Sequence, residues 1–119
     1  MPAGRTRLLA AAAVIGERLA DSAILGERDV AWLGLTTIGE RGARLEPLGV
    51  DLYDGLAGVA LFLGHLGALT DRPATTQLAR RAIDTVRQRI AAGELPASIG
   101  AFSGIGGLVY VTSHLGRLW

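Results

Sequence analysis

The sequence contains no cysteine and no lysine. Without cysteine the chain supplies neither a disulfide framework nor a thiolate metal ligand. Without lysine, all 12 basic residues are arginine, the cation better suited to stacked or partly buried positions. Charge of one sign is also missing. The net charge is only +1, so there is no electrostatic case for binding nucleic acid or an anionic membrane. Aromatics are scarce at 5%, although half of the residues are hydrophobic. Long apolar runs are absent too. Residues 55–69 are apolar apart from His65, but this run of 15 falls short of the about 20 a membrane span needs, and Asp54 and Asp71 bracket it. A buried helix is the expectation there. Arg5 and Arg7 precede an alanine-rich run as in a signal peptide, yet Gly16-Glu17-Arg18 stands where a small-residue cleavage site would be. The expected location is cytoplasmic, and 119 residues suffice for one small domain.

What the chain has is a repeat. Leu52-Tyr53-Asp54-Gly55-Leu56-Ala57-Gly58 returns 49 residues later as Ala101-Phe102-Ser103-Gly104-Ile105-Gly106-Gly107. The same offset takes His65-Leu66-Gly67 to His114-Leu115-Gly116. An aromatic residue and then a helix-capping residue open each copy. A period of this size indicates stacked supersecondary units.

Taken in order, residues 6–25 predict a first helix, with Leu8, Ala12, Ile15, Leu19 and Ala23 on one face and Gly26 as its stop. Residues 30–47 are rich in β-formers around Gly39-Glu40-Arg41-Gly42 and predict a short hairpin, or an extended loop reaching residue 50. Pro47 limits the second strand to an edge or to its end. A lone hairpin is marginal in water, so it should lie on the helices with Trp32 as anchor. A helix over 53–68 follows, capped by Asp51 or Asp54. Pro73 starts a helix over 74–92 with an apolar stripe of Leu78, Ala82, Val86 and Ile90. Arg80, Arg81, Asp84, Arg87 and Gln88 fill its outer face. A linker over 97–102 leads to a last helix over 103–117.

The strongly amphipathic helices call for covering positions, and the glycine-bearing ones, apolar nearly all round, for buried positions. Each glycine inside a helix costs about 1 kcal/mol relative to alanine, so tertiary contacts must offset Gly58, Gly64, Gly106 and Gly107. Gly58 shares a helical face with His65, and Gly107 with His114, which suggests close helix approach or a wall beside open space.

The segment from Asp51 to Leu63 resembles the first Gly-x-x-Gly helix of the lanthionine synthetase C-like (LanC-like) cyclases. It is most similar to the C-terminal cyclase domain of the class II lanthipeptide synthetases, the LanM enzymes. Ala31-Trp32-Leu33-Gly34-Leu35 resembles the segment that precedes that helix, and Gly100 to Tyr110 resembles the second repeat. The resemblance covers most of residues 5–119. It implies an all-α fold in the main, the first two repeats of an α/α toroid, with Gly55, Gly58, Gly104 and Gly107 as its structural motif. It also implies an activity: zinc binds and activates a peptide cysteine, which adds to a dehydroamino acid and closes a thioether ring. The family's zinc ligands are two cysteines and a histidine beyond the second repeat, and this sequence has no counterpart to them. No catalytic, cofactor-binding or metal-binding residue carries over, and no cofactor is expected in this chain. Zinc belongs to the complete domain. The implied partners are the remainder of a cyclase domain or a complementary chain, with a precursor peptide in the complete enzyme, and the apolar flank of an open stack predicts self-association.

Individual residues suggest other chemistry. His65 and His114 suggest a zinc pair, but two histidines without a third ligand make a poor site, and equivalent positions in a repeat suggest equivalent packing. Ser103-Gly104-Ile105-Gly106-Gly107 before a helix resembles a phosphate cradle, without the lysine and strong preceding strand of a P-loop. Asp51 and Asp54 suggest an acid–base pair, for which helix capping is the simpler account. The expected function is part of a lanthipeptide cyclase domain, inactive alone. The alternative is a non-catalytic helical module that binds a peptide or protein partner. A third reading, an unrelated α/α toroid acting on glycans, would need acidic residues at the inner-helix N-termini, and only Asp54 fits it.

Overall fold

The computed structural model describes residues 3–94, 99–100 and 104–119. Along the chain run α1 (Ala3–Ser22), β1 (Ile24–Leu25), β2 (Val30–Ala31), β3 (Leu33–Ile38), β4 (Gly42–Pro47), α2 (Leu56–Thr70), α3 (Pro73–Ala91) and α4 (Ile105–Leu118). The protein is mainly helical. Among the described residues the strands form two antiparallel pairs, β1 with β2 and β3 with β4. The expected linker over 97–102 and the opening of the last helix at Ser103 lie largely or wholly outside the described residues.

Helix α2 is central. It packs most extensively on α3, then on α4, and only lightly on α1. Leu56, Leu63, Val111 and Leu115 are fully buried where these helices meet. Burying each side chain of this size stabilises the fold by about 1.5–3 kcal/mol. Helix α3 turns Ala79, Ala82, Ile83 and Val86 inward, as its period of four predicts. Arg81 departs from the expected outer face. It is half-buried and donates to the carbonyls of Gly26 (3.0 Å) and Asp29 (3.3 Å), clamping the β1–β2 turn onto α3.

The first helix ends earlier than expected. Ile24 pairs with Ala31 and Leu25 with Val30, so these residues leave the helix for a strand. Gly26 therefore does not stop α1; its N–H donates to Asp29 O (3.0 Å) across a turn. The hairpin is present, with Leu35 opposite Leu45 and Pro47 ending β4 opposite Leu33. It does not lie on the helices, however: Leu35 is 76% and Leu45 65% exposed. The docking is done at its root. Val30 and Trp32 are buried, and Trp32 Nε1 donates to Leu19 O at 2.8 Å, fastening the end of α1. Thr85 Oγ1 on α3 accepts from the buried Val30 N–H at 2.9 Å.

Candidate functional site

The two glycine motifs adopt one geometry. Gly55 opens α2 with φ −130°, ψ −170°, and Gly104 opens α4 with φ −136°, ψ −168°. Both are extended conformations. In the first copy the preceding loop folds back over the first turn of the helix, and in both copies a preceding glycine carbonyl meets that turn. Leu56 N–H donates to Gly49 O (2.7 Å), and Gly107 N–H donates to Gly104 O (3.1 Å) and Gly100 O (3.3 Å). The first N–H of α2 thus has a backbone partner, and among the described residues no side chain caps either helix. Asp51 and Asp54 are not caps, contrary to expectation. The Gly107 N–H, committed to two carbonyls, is likewise not free to cradle a phosphate.

This fold-back explains two of the glycines. A Cβ on Gly55 would lie 2.6 Å from Gly49 O, and one on Gly58 would lie 2.2 Å from Leu52 O. Close approach was expected at Gly58, but the neighbour is loop backbone rather than another helix. Close helix approach occurs instead at Gly64, where Leu115 of α4 seats, at Gly67, against Thr76 of α3, and at Gly16 of α1, where Leu66 seats.

The repeat brings its histidines together. The rings of His65 and His114 have centroids 6.2 Å apart at a tilt of 56°, and Tyr110 lies 4.3 Å from His114. Among the described residues no group of three His, Asp or Glu side chains stands close enough to hold a metal ion. The side chains present here do not fit zinc. At this seam they form a ring contact that links α2 to α4, while Arg80 stacks over Trp119 at 4.4 Å and links α4 to α3.

The carboxylates are different in kind. Asp51 is half-buried, and its Oδ1 is fully enclosed with no hydrogen-bond partner. Burial pushes its carboxyl above the usual aspartate range, and Asp54 adds to this through a hydrogen bond and its negative charge. Asp54 stands at a junction of hollows. On one side lies a polar recess that includes Glu46, Arg89 and Glu94. On the other begins an apolar groove between α1 and α2, in two connected parts of about 390 and 370 Å³ that share Gly58 and Phe62. The groove was not visible in the sequence. Its walls come from helices whose relative placement no local pattern specifies.

The predicted motif residues therefore lie at the helix openings, and of the candidate pairs the structure joins both His65 with His114 and Asp51 with Asp54. Among the described residues no helix is long and apolar enough to cross a membrane. A search of curated proteins returns no match. The family model for lanthionine synthetase C-like protein matches residues 46–119, from the end of β4 through α4. The match spans more than half of the sequence and takes in both glycine-opened helices, so the chain belongs to the lanthionine synthetase C-like family.

Proposed function

We propose that this chain is the first part of a cyclase domain of the LanM type, which closes thioether rings by adding a cysteine thiol to a dehydroamino acid in a precursor peptide. The observation that supports this most is the pairing of the glycine-opened helices α2 and α4 inside the family match. They stand side by side with the same opening geometry, as neighbouring repeats of a toroid would. In this reading the chain contributes wall and loop rather than chemistry. Its cysteine-free sequence supplies no thiolate, so the zinc ligands come from further repeats, in the same polypeptide or a second one. The working location is the cytoplasm, and the precursor peptide is the substrate.

The test is thiol consumption in a dehydrated peptide bearing one cysteine. Ring closure leaves the mass unchanged but removes the site that N-ethylmaleimide labels. The chain alone should leave the thiol free. Combined with a polypeptide that carries the cysteine and histidine ligands, it should consume the thiol only when zinc is present. Undiminished labelling in the combined sample refutes the proposal. A second reading, a non-catalytic module that binds a partner, draws support from the open apolar groove between α1 and α2.

A further inference from the structure

The sequence has two histidines, and the fold brings both to one seam. They lie one repeat apart in the sequence, His65 on α2 and His114 on α4. Their ring centres are 6.2 Å apart. His65 is exposed and His114 half-buried, so neither ring is sealed in the core. Among the described residues neither imidazole has a hydrogen bond or an ion pair, so the ring nitrogens are uncommitted. The pair lacks the further ligands that zinc requires, but not every metal asks for as many.

We propose that His65 and His114 bind one Cu(II) ion, with an imidazole nitrogen of each on opposite sides of the metal. Distance is the first argument. With a metal–nitrogen bond of about 2.0 Å and about 1.1 Å more to the ring centre, two imidazoles opposed across one ion have centres about 6.2 Å apart, and two at a tetrahedral angle about 5.1 Å. The separation in the fold matches the opposed arrangement. Opposed nitrogens suit the square-planar preference of Cu(II), whereas a tetrahedral zinc site needs closer rings. Affinity is the second argument. Cu(II) heads the divalent first-row series at nitrogen sites, so two imidazoles with water in the remaining positions hold it where they hold zinc only weakly. The third is the composition. There is no cysteine to draw the ion elsewhere or to reduce it. Bound there, the ion clips α2 to α4 across the repeat. The inference goes beyond the ring-closing reading and does not depend on it, because both ligands lie in this chain and binding is measured without dehydrated peptide.

The test titrates the 119-residue chain with Cu(II) alone, in a buffer that does not chelate it. Calorimetry should give one site of micromolar affinity, and electron paramagnetic resonance a tetragonal ion with two nitrogen ligands. His65→Phe and His114→Phe each keep a ring at the seam, and each should weaken binding by about tenfold or more. Circular dichroism confirms that the variants are folded. Because the ion binds the folded chain, saturating Cu(II) should raise the Tm of wild type and leave that of either variant unchanged. Carbethoxylation of the wild-type imidazoles with diethyl pyrocarbonate should abolish binding without any substitution. Undiminished binding in either variant places the ion elsewhere, at the amino terminus for example, and overturns the inference. So does the absence of bound copper at about 100 μM, or zinc binding as tightly as copper in the same titration.

Discussion

Gly58→Ala is the sharpest perturbation available, because two effects of known size oppose each other. Alanine is favoured over glycine inside a helix by about 1 kcal/mol. Against this, the new Cβ would stand 2.2 Å from the carbonyl oxygen of Leu52, well inside van der Waals contact, so the loop or helix must move by about 1 Å. The clash is with backbone and cannot be relieved by a rotamer change. The loop is also held, by the Leu56 N–H to Gly49 O bond of 2.7 Å and by burial of Val50. Overpacking of this kind costs about 1–3 kcal/mol, so after the propensity gain the net effect should be a loss of about 0–2 kcal/mol. In a thermal melt this lowers Tm by up to about 8 °C. Gly116→Ala is the internal control. It lies in α4 with nothing within 4 Å of its Cβ position, so only the propensity term applies and stability should rise by up to about 1 kcal/mol. Gly64→Ala should fall between them. Its Cβ would meet Leu115 Cδ2 at 2.4 Å, the far end of a side chain that has room to turn. If Gly58→Ala raises Tm as Gly116→Ala does, the loop does not press on the helix and the account of the motif is wrong.

Other predictions concern the joints of the fold. Thr85→Val keeps the shape but strands the buried Val30 N–H, and should lower stability in urea by about 1–3 kcal/mol. Trp32→Phe removes the donor to Leu19 O and should speed amide exchange at the end of α1 before it changes the α2–α3 core. Asp51 sets a pH dependence. Its folded carboxyl binds protons more readily than the unfolded one, so stability falls as pH rises out of the usual aspartate range and stays reduced above the raised value. Asp51→Asn should flatten that fall in Tm measured from pH 4 to pH 7, and an unchanged slope would rule out the carboxylate pair as its source.

Much of this was legible in the sequence. The apolar stripe of α3 gave its inward face because the period of a helix is fixed by its backbone hydrogen bonds. The offset of 49 residues gave the neighbouring placement of α2 and α4. Trp32 was legible as the anchor, since the one tryptophan in a β-rich stretch has the most area to bury. Three features were not. Ile24 and Leu25 continue the apolar pattern of α1, and only pairing with Val30 and Ala31 draws them into a strand. Asp51 and Asp54 carry the composition of caps, yet the Gly49 carbonyl takes the first N–H of α2, and nothing local foretells which acceptor arrives first. The hairpin was expected to lie flat because an isolated one is marginal. Its root, fixed by Trp32 and Thr85, holds it without a covered face.

The glycines carry the remaining lesson. Leu66 seats at Gly16 and Leu115 at Gly64, and the two leucines are one repeat apart. The receiving glycines are not. One period on from Gly64 stands Ser113, which is exposed, and Gly16 belongs to a helix outside the repeat. The repeat therefore keeps the projecting side chain and lets the receiving surface vary. That follows from how helices pack: a leucine needs any notch within reach, whereas a notch without a projecting side chain only costs helix stability. Gly55 and Gly104 behave in the opposite way. They recur in register with the same extended backbone, and Gly55 meets a feature of its own unit, the loop that folds back over the helix opening. Gly55 thus reports a contact within its own unit, whereas Gly16 and Gly64 report contacts between helices.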